Sequence, residues 1–284
     1  MRFIENRKWF YMFSTILILA GIVSMFVQGF NWSIDFTGGS LLQYKMESSI
    51  TADQVRATVD DLNLVKEVAV QKTGSEFYIR TNELDQAQTN KLTAGLKEKF
   101  NNVTLQSSES VGATIGSELT RNALIAVGIA LVLILIYITF RFEFGFGLAT
   151  VLAIAHDVLI VTGIFSIFQL EVSSYFVAAI LTIVGYSIND TIVIFDRVRE
   201  NLRGRKKEPL NTLLDRSIMQ TMNRSINTVL TVLMPLITLL LFGGGSIKIF
   251  VIALLIGFLF GVYSSVCIAS PIYYDYSQRT AEAE

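Results

Sequence analysis

Apolar and polar positions fall into long blocks along the chain. Six stretches carry almost no charge: residues 9–34, 122–140, 144–170, 172–195, 225–247 and 249–276. Each is about as long as the roughly 20-residue apolar run that a helix needs to cross a bilayer. A water-soluble core does not call for six such runs. A backbone in hydrocarbon has to satisfy its own N–H and C=O groups, so the blocks predict six transmembrane helices. Between the first and second blocks the pattern changes. SLLQYKM (40–46) alternates as a strand does. Thr51 and Gln54 have capping-box spacing, and Val55, Val59 and Leu62 follow at helical intervals. Residues 65–72 and 76–81 alternate around Thr73, Gly74 and Ser75, which predicts a hairpin. A second helix is expected over 85–100, with Leu92, Leu96 and Phe100 on one face, and a last strand over 103–111. The order β-α-β-β-α-β is the split βαβ, or ferredoxin-like, pattern. The expected fold is thus an α-helical polytopic membrane protein with an inserted α+β domain. Its divisions are 1–34 (amino end and first span), 35–120 (inserted domain), 121–276 (five further spans, with a basic loop at 197–224) and 277–284 (tail).

Charge then orients the spans. Net charge is −1, so bulk electrostatics names no nucleic-acid partner. Positive residues collect in alternate connections: Arg2, Arg7 and Lys8 before the first block, Arg141 after the second, and Arg197, Arg199, Arg203, Arg205, Lys206, Lys207, Arg216 and Arg224 after the fourth, with Arg279 in the tail. The loop 169–174 has none and 242–248 has one. The positive-inside rule puts both termini in the cytoplasm and the inserted domain outside. The run 203–208 is read as an orientation determinant that is also able to touch anionic lipid. The first block is too long for a signal-peptide core and lacks a small-residue exit, so it reads as a signal anchor. Cys267 is alone and cannot staple the fold, and with His156 the only histidine, a multi-histidine metal site is ruled out.

Four groups stand out chemically. Asp190 lies inside the fourth block, where an ionised carboxylate costs several kcal/mol unless paired, hydrated or protonated. Counting from residue 172 puts it near the cytoplasmic end of the span, while a helix running from 175 to 198 would bury it deeper. Ser187, Asn189 and Thr191 are candidates to bond water beside it. His156 and Asp157 interrupt the middle of the third block. Asp157 there faces a bundle interior, for function or for a bond to a neighbouring helix, and His156 is expected to be a hydrogen-bonded packing residue. Arg224, at the edge of the fifth block, reads by itself as a positive-inside flank. Asp35, Phe36, Thr37, Gly38 and Gly39 follow the first block, and the glycines permit a tight turn or a hinge. Gly243, Gly244 and Gly245 read as a loop. No residue set in the inserted domain looks catalytic.

Three stretches together, IDFTGGSLLQ (34–43), GYSINDTIVIFDRVREN (185–201) and NRSINTVLTVL (223–233), resemble the SecF family. SecF is the smaller membrane subunit of the SecDF accessory complex of bacterial protein export, which is itself similar to the resistance-nodulation-division transporters. The resemblance covers essentially the whole chain. It implies a protein of the bacterial cytoplasmic membrane that is not an enzyme, uses no cofactor and takes protons as its coupling ion. It implies SecD as heterodimer partner, the SecYEG translocon, YajC and YidC as further partners, and an unfolded polypeptide in transit. By the same resemblance Asp190 carries protons and Arg224 works with it; Asp157, by its depth in the third block, and Asn189, as a neighbour able to bond water, are placed with them in the proton path. Other readings stand beside this one: a passive scaffold that stabilises the translocon, an intramembrane aspartyl protease using Asp157 and Asp190, and half of a small-molecule exporter. GYSIND lacks the Gly-x-Gly-Asp form such proteases need, and the single small inserted domain argues against the exporter.

Overall fold

A computed structural model describes residues 2–65, 68–141, 143–204 and 208–283. In chain order the helices are α1 (Arg7–Val27), α2 (Ala52–Asp61), α3 (Gln86–Lys99), α4 (Ala113–Arg141), α5 (Phe144–Ile167), α6 (Ser174–Arg203), α7 (Leu210–Phe242), α8 (Gly245–Ser264) and α9 (Ser270–Ala283), with a π turn, Ser265–Ala269, joining the last two. The strands of the main sheet are β1 (Gly39–Lys45), β2 (Val68–Thr73), β3 (Glu76–Thr81) and β4 (Thr104–Val111). The chain divides into two compact units, Trp32–Leu124 on one side and Met1–Asn31 with Ile125–Glu284 on the other. Positions 66 and 67 of the expected strand, and Arg205, Lys206 and Lys207 of the basic run, lie outside the described residues.

In Trp32–Leu124 the strand order is β2-β3-β1-β4, every neighbour antiparallel, with α2 and α3 as the crossovers. This is the ferredoxin-like arrangement that the alternation predicts. Both helices begin on reciprocal caps. Thr51 Oγ1 accepts from the Gln54 N–H while Gln54 Oε1 accepts from the Thr51 N–H, and Asp85 and Gln88 repeat the exchange. The β2–β3 hairpin closes over Gly74 and Ser75, and Gly74 takes φ +65°, which glycine adopts without penalty. The inner faces of the sheet and helices bury Leu42, Tyr44, Phe77, Ile79, Val55, Val59, Leu92 and Leu96. Phe77 is fully buried at the centre of this core. Phe77→Ala should cost about 3–5 kcal/mol. In the full-length chain, amide exchange in β1 and β3 should then accelerate by about 100-fold or more, since each 1.4 kcal/mol of opening energy is a factor of ten.

The remaining unit contains helices long and apolar enough to cross a membrane, and six are found in the whole chain among the described residues. α5, α6 and α8 are the most buried, with α1 packed on α5 and α7 on α6 and α8. α1 shows how the sequence sets this packing. Its buried residues are Ser14, Gly21 and Ser24, all small, while Trp9, Ile16, Val23 and Phe26 are exposed. Helices in lipid gain little from burying apolar side chains and instead approach through small residues.

Several helix limits differ from the blocks in the sequence. α1 ends at Val27, and the chain then turns at Gly29, φ +68°, before a one-turn helix at Ile34–Thr37. α4 already starts at Ala113, so its first turns fall within the stretch 35–120 assigned to the inserted domain. Most of the expected basic loop 197–224 is helical. α6 runs on to Arg203 and α7 begins at Leu210, where Leu210, Leu213, Leu214, Ser217, Ile218 and Thr221 form a buried stripe at three- and four-residue spacing. The expected tail is also helical, as α9 reaches Ala283. These extensions are held by polar contacts at one end of the bundle. The Ile4 N–H donates to Asp215 Oδ1 at 3.1 Å, Arg7 Nε meets Asp275 Oδ1 at 2.8 Å, Tyr11 donates to Asp275 Oδ2 at 3.1 Å, and Arg141 grips both oxygens of Asp196 at 2.8 and 2.6 Å.

Candidate functional site: two carboxylates inside the helix bundle

Because α6 spans Ser174–Arg203, Asp190 lies near the middle of a 30-residue helix rather than at its edge. The buried face of α6 reads Ile180, Ile183, Val184, Ser187, Ile188, Asp190, Thr191, Ile194, so the carboxylate sits in the apolar stripe itself. Its Oδ1 accepts from Ser225 Oγ of α7 at 2.6 Å. Its Oδ2 is buried and has no hydrogen-bond partner among the described residues. Ser265 is close by, but its hydroxyl turns to the Gly261 carbonyl at 2.9 Å and to Thr191 Oγ1 at 2.9 Å. Asp190 is therefore half satisfied, with 7% of its surface open. A buried carboxylate oxygen without a donor is costly when charged, and protonation removes that cost.

Asp157 is the opposite case, fully buried with both oxygens engaged. Ser187 of α6 donates to Oδ2 at 2.6 Å and Ser264 of α8 at 2.7 Å, while Oδ1 lies 2.9 Å from His156 Nδ1. His156 Nε2 is 2.9 Å from Ser14 Oγ of α1, Ser14 is 3.1 Å from the Tyr263 hydroxyl, and Tyr263 donates to the Phe10 carbonyl at 3.1 Å. The network ties α1, α5, α6 and α8 together. His156 is thus buried and hydrogen-bonded at both ring nitrogens. Adjacent serines link the two carboxylates, since Ser264 serves Asp157 and Ser265 opens the π turn beside Thr191 and Asp190. Such one-turn widenings recur at functional positions in helices. The protein also spaces its backbone for this contact. One turn before Gly261, a Cβ on Gly257 would collide with the Ile183 side chain, so α6 and α8 meet closely just below the serine that holds Asp157.

The other expected site residues divide. Arg224 is on the exposed side of α7, with no ion pair to Asp190 among the described residues. The neighbour that bonds Asp190 is Ser225, one position on. Asn189 is exposed and turned away from the buried face that carries Asp190. Ser187 and Thr191, expected to bond water beside Asp190, are buried and bond protein groups instead. In the separate unit Trp32–Leu124, Ser33 caps the short helix containing Asp35, Phe36 and Thr37 by accepting from the Asp35 N–H at 3.1 Å. Gly38 and Gly39 follow at φ +72° and +117°, and a Cβ on Gly39 would collide with the Thr81 carbonyl oxygen. Glycine there is demanded by a fixed turn into β1. The motif lines an open groove of about 550 Å³ with Val68, Arg80 and Glu83. Ser225, Ser264, Ser14 and Tyr263 were not anticipated from sequence. Their only signal is a polar side chain within an apolar block.

Six apolar helices among the described residues, two buried carboxylates held between α5, α6, α7 and α8, and a ferredoxin-like domain inserted after the first helix define a polytopic membrane protein of the transport kind. Residues 91–279 match the family described as protein export membrane protein SecD/SecF, C-terminal, and residues 23–50 match the SecD/SecF GG motif. The chain is 41% identical over 280 residues to the protein translocase subunit SecF of Sebaldella termitidis, covering 96% of this chain and 91% of that one. It is 40% identical over 284 residues to the protein translocase subunit SecDF of Bacillus subtilis, covering 98% of this chain and 38% of that one. Among solved structures it matches the crystal structure of SecDF, a translocon-associated membrane protein, from Thermus thermophilus. That match has a TM-score of 0.90 and 37% identity over 98% of this chain and 39% of the other. The chain belongs to the SecD/SecF family, on its SecF side, and so to protein transport on the Sec pathway; this is not a family of enzymes. Against SecDF chains it spans about two fifths of the length.

Proposed function

We propose that this chain is an accessory subunit of the Sec export machinery that pairs with a SecD subunit and uses the proton motive force to promote polypeptide translocation across the bacterial cytoplasmic membrane. The observation that carries the reading is Asp190, a buried mid-helix carboxylate with one oxygen held by Ser225 and the other without a donor among the described residues. Such a group favours its neutral form while the site is closed, and a change of access that brings water or charge to the bare oxygen can release its proton and then reload it. Arg224 acts on it as a nearby charge rather than as a bonded partner.

Pairing with SecD is supported by the matched SecDF chains, in which a stretch like this one makes up about two fifths of a longer protein. SecYEG, YajC and YidC belong to the same reading as more distant neighbours. With both termini in the cytoplasm, the ends carrying Arg141, Arg197, Arg203 and Arg216 face inward and the Trp32–Leu124 unit lies outside. The test is export of a secreted reporter, with the chain co-expressed with SecD, in the presence and absence of a proton gradient. Ser225→Ala removes the donor that holds Asp190 Oδ1 and should lower gradient-dependent export several-fold while the complex still assembles. Unchanged export in that variant would detach Ser225 from the site. A scaffold that only stabilises the translocon predicts no response to the gradient through either residue.

A further inference from the structure

The hydrogen bonds around His156 and Asp157 dictate how many protons the pair holds. Tyr263 donates its single hydrogen to the Phe10 carbonyl, which can only accept. The Tyr263 oxygen is then free to accept from Ser14, and Ser14, its own hydrogen spent, accepts from His156 Nε2. Nε2 therefore carries a proton. On the far side of the ring, the 2.9 Å contact between Nδ1 and Asp157 Oδ1 needs one more proton, on nitrogen or on oxygen. Imidazole with carboxylic acid and imidazolium with carboxylate are the two placements, and both leave the pair without net charge.

The opposite direction of the chain is possible on paper. If Tyr263 turned its hydrogen to Ser14, Ser14 would donate to Nε2 and Nδ1–H to a bare carboxylate. That arrangement puts an unpaired anion at a fully buried position, and Asp157 has no Lys or Arg ion pair among the described residues. An unpaired charge in the bilayer costs several kcal/mol, whereas the hydrogen bond to Phe10 is worth about 1 kcal/mol.

We infer that His156 and Asp157 are a net-neutral, proton-sharing pair with the second imidazole proton fixed on Nε2, and that this pair is a positioning device for Asp190. Asp157 holds Ser187, three residues before Asp190 on α6, and it holds Ser264, whose neighbour Ser265 bonds Thr191. A pair that kept neither its protons nor its neutrality would loosen both supports. The positioning role rests on the proton-carrying reading of Asp190; the proton count does not. The titratable groups facing the pair from other elements are Tyr263 of α8 and, beyond it, Cys267 of the π turn.

His156 is the only histidine in the chain, so nitrogen-15 histidine labelling reports on it alone. The full-length chain would be purified through a histidine-free tag, placed in lipid bilayers and read by nitrogen resonances. The expected spectrum shows a protonated Nε2. Tyr263→Phe should leave the proton on Nε2, because it frees the Phe10 carbonyl, one turn before Ser14 on α1, to take the Ser14 hydrogen in its place. A proton on Nδ1 with a bare Nε2, or loss of the Nε2 proton in Tyr263→Phe, would overturn the pair. None of these readouts is export. A failure here leaves Asp190 as carrier untouched, and intact gradient-dependent export in Asp190→Asn would remove the carrier while the pair stands.

Discussion

Asp190→Asn is expected to assemble with SecD, keep its fold and lose gradient-dependent export. Asparagine has nearly the shape of aspartic acid. Its amide oxygen can accept from Ser225 as Oδ1 does now at 2.6 Å, so the α6–α7 contact is retained. What it cannot do is take up or release a proton. One proton crossing about 100 mV releases roughly 2.3 kcal/mol, enough to bias a conformational equilibrium by roughly 40-fold, and all of that bias is lost in the variant. The measurement is reporter export with and without the gradient, alongside recovery of the complex from the membrane. Export should fall to the level seen in wild type without a gradient. Gradient-dependent export that survives with the complex intact would move the proton path elsewhere and leave the scaffold reading in possession.

The second large effect is structural and falls where α1 meets α5. A Cβ placed on Gly21 would lie 2.7 Å from Gly163 Cα, and one on Gly163 would lie 2.9 Å from Gly21 Cα. The obstacle is backbone on both sides, so no side chain can swing away to make room. One turn on, Ser24 and Ser166 share a hydrogen bond at 2.8 Å, and two turns back Ser14 meets His156 at 2.9 Å, so the same seam holds the buried network in register. Gly21→Ala should cost about 1–3 kcal/mol, and Gly21→Leu should separate the helices and break both contacts. Thermal unfolding in detergent should show a small fall in Tm for the first and gross destabilisation for the second. The neighbouring exposed Leu19→Ala should be near neutral. A Gly21→Leu chain with wild-type Tm would mean that α1 does not dock through this seam.

Much of the fold is legible because its two solvents write different patterns. The ferredoxin-like domain shows period-two strands and a capping box that survive as β1 to β4 and α2. The spans show as uncharged blocks. Helix ends were harder to read, because charge hides helical periodicity. Leu210, Leu213, Leu214 and Ile218 keep their three- and four-residue spacing, yet Arg216 and Arg224 among them read as loop. The site was half legible. A carboxylate in an apolar block announces itself, so Asp190 and Asp157 stand out from sequence. Their partners do not, because a buried serine costs little and recurs in helices that bond nothing. Ser225 was passed over in favour of its charged neighbour Arg224, which points outward. Asn189, one residue from Asp190, is turned about 100° around the helix and ends on the exposed face.

The difference between the two carboxylates is the most direct handle on the central claim, that Asp190 exchanges its proton and Asp157 does not. A hydrophobic carbodiimide attacks carboxyl groups only while they are protonated and within reach. Labelling the SecD-paired chain in membranes over a range of pH, with modified residues located by mass spectrometry, reads both sites in one sample. The account predicts modification at Asp190 that falls away as pH rises, and none at Asp157, whose oxygens are held by His156, Ser187 and Ser264. An Asp190 that stays unmodified at every pH, or is labelled no more than Asp157, would contradict it.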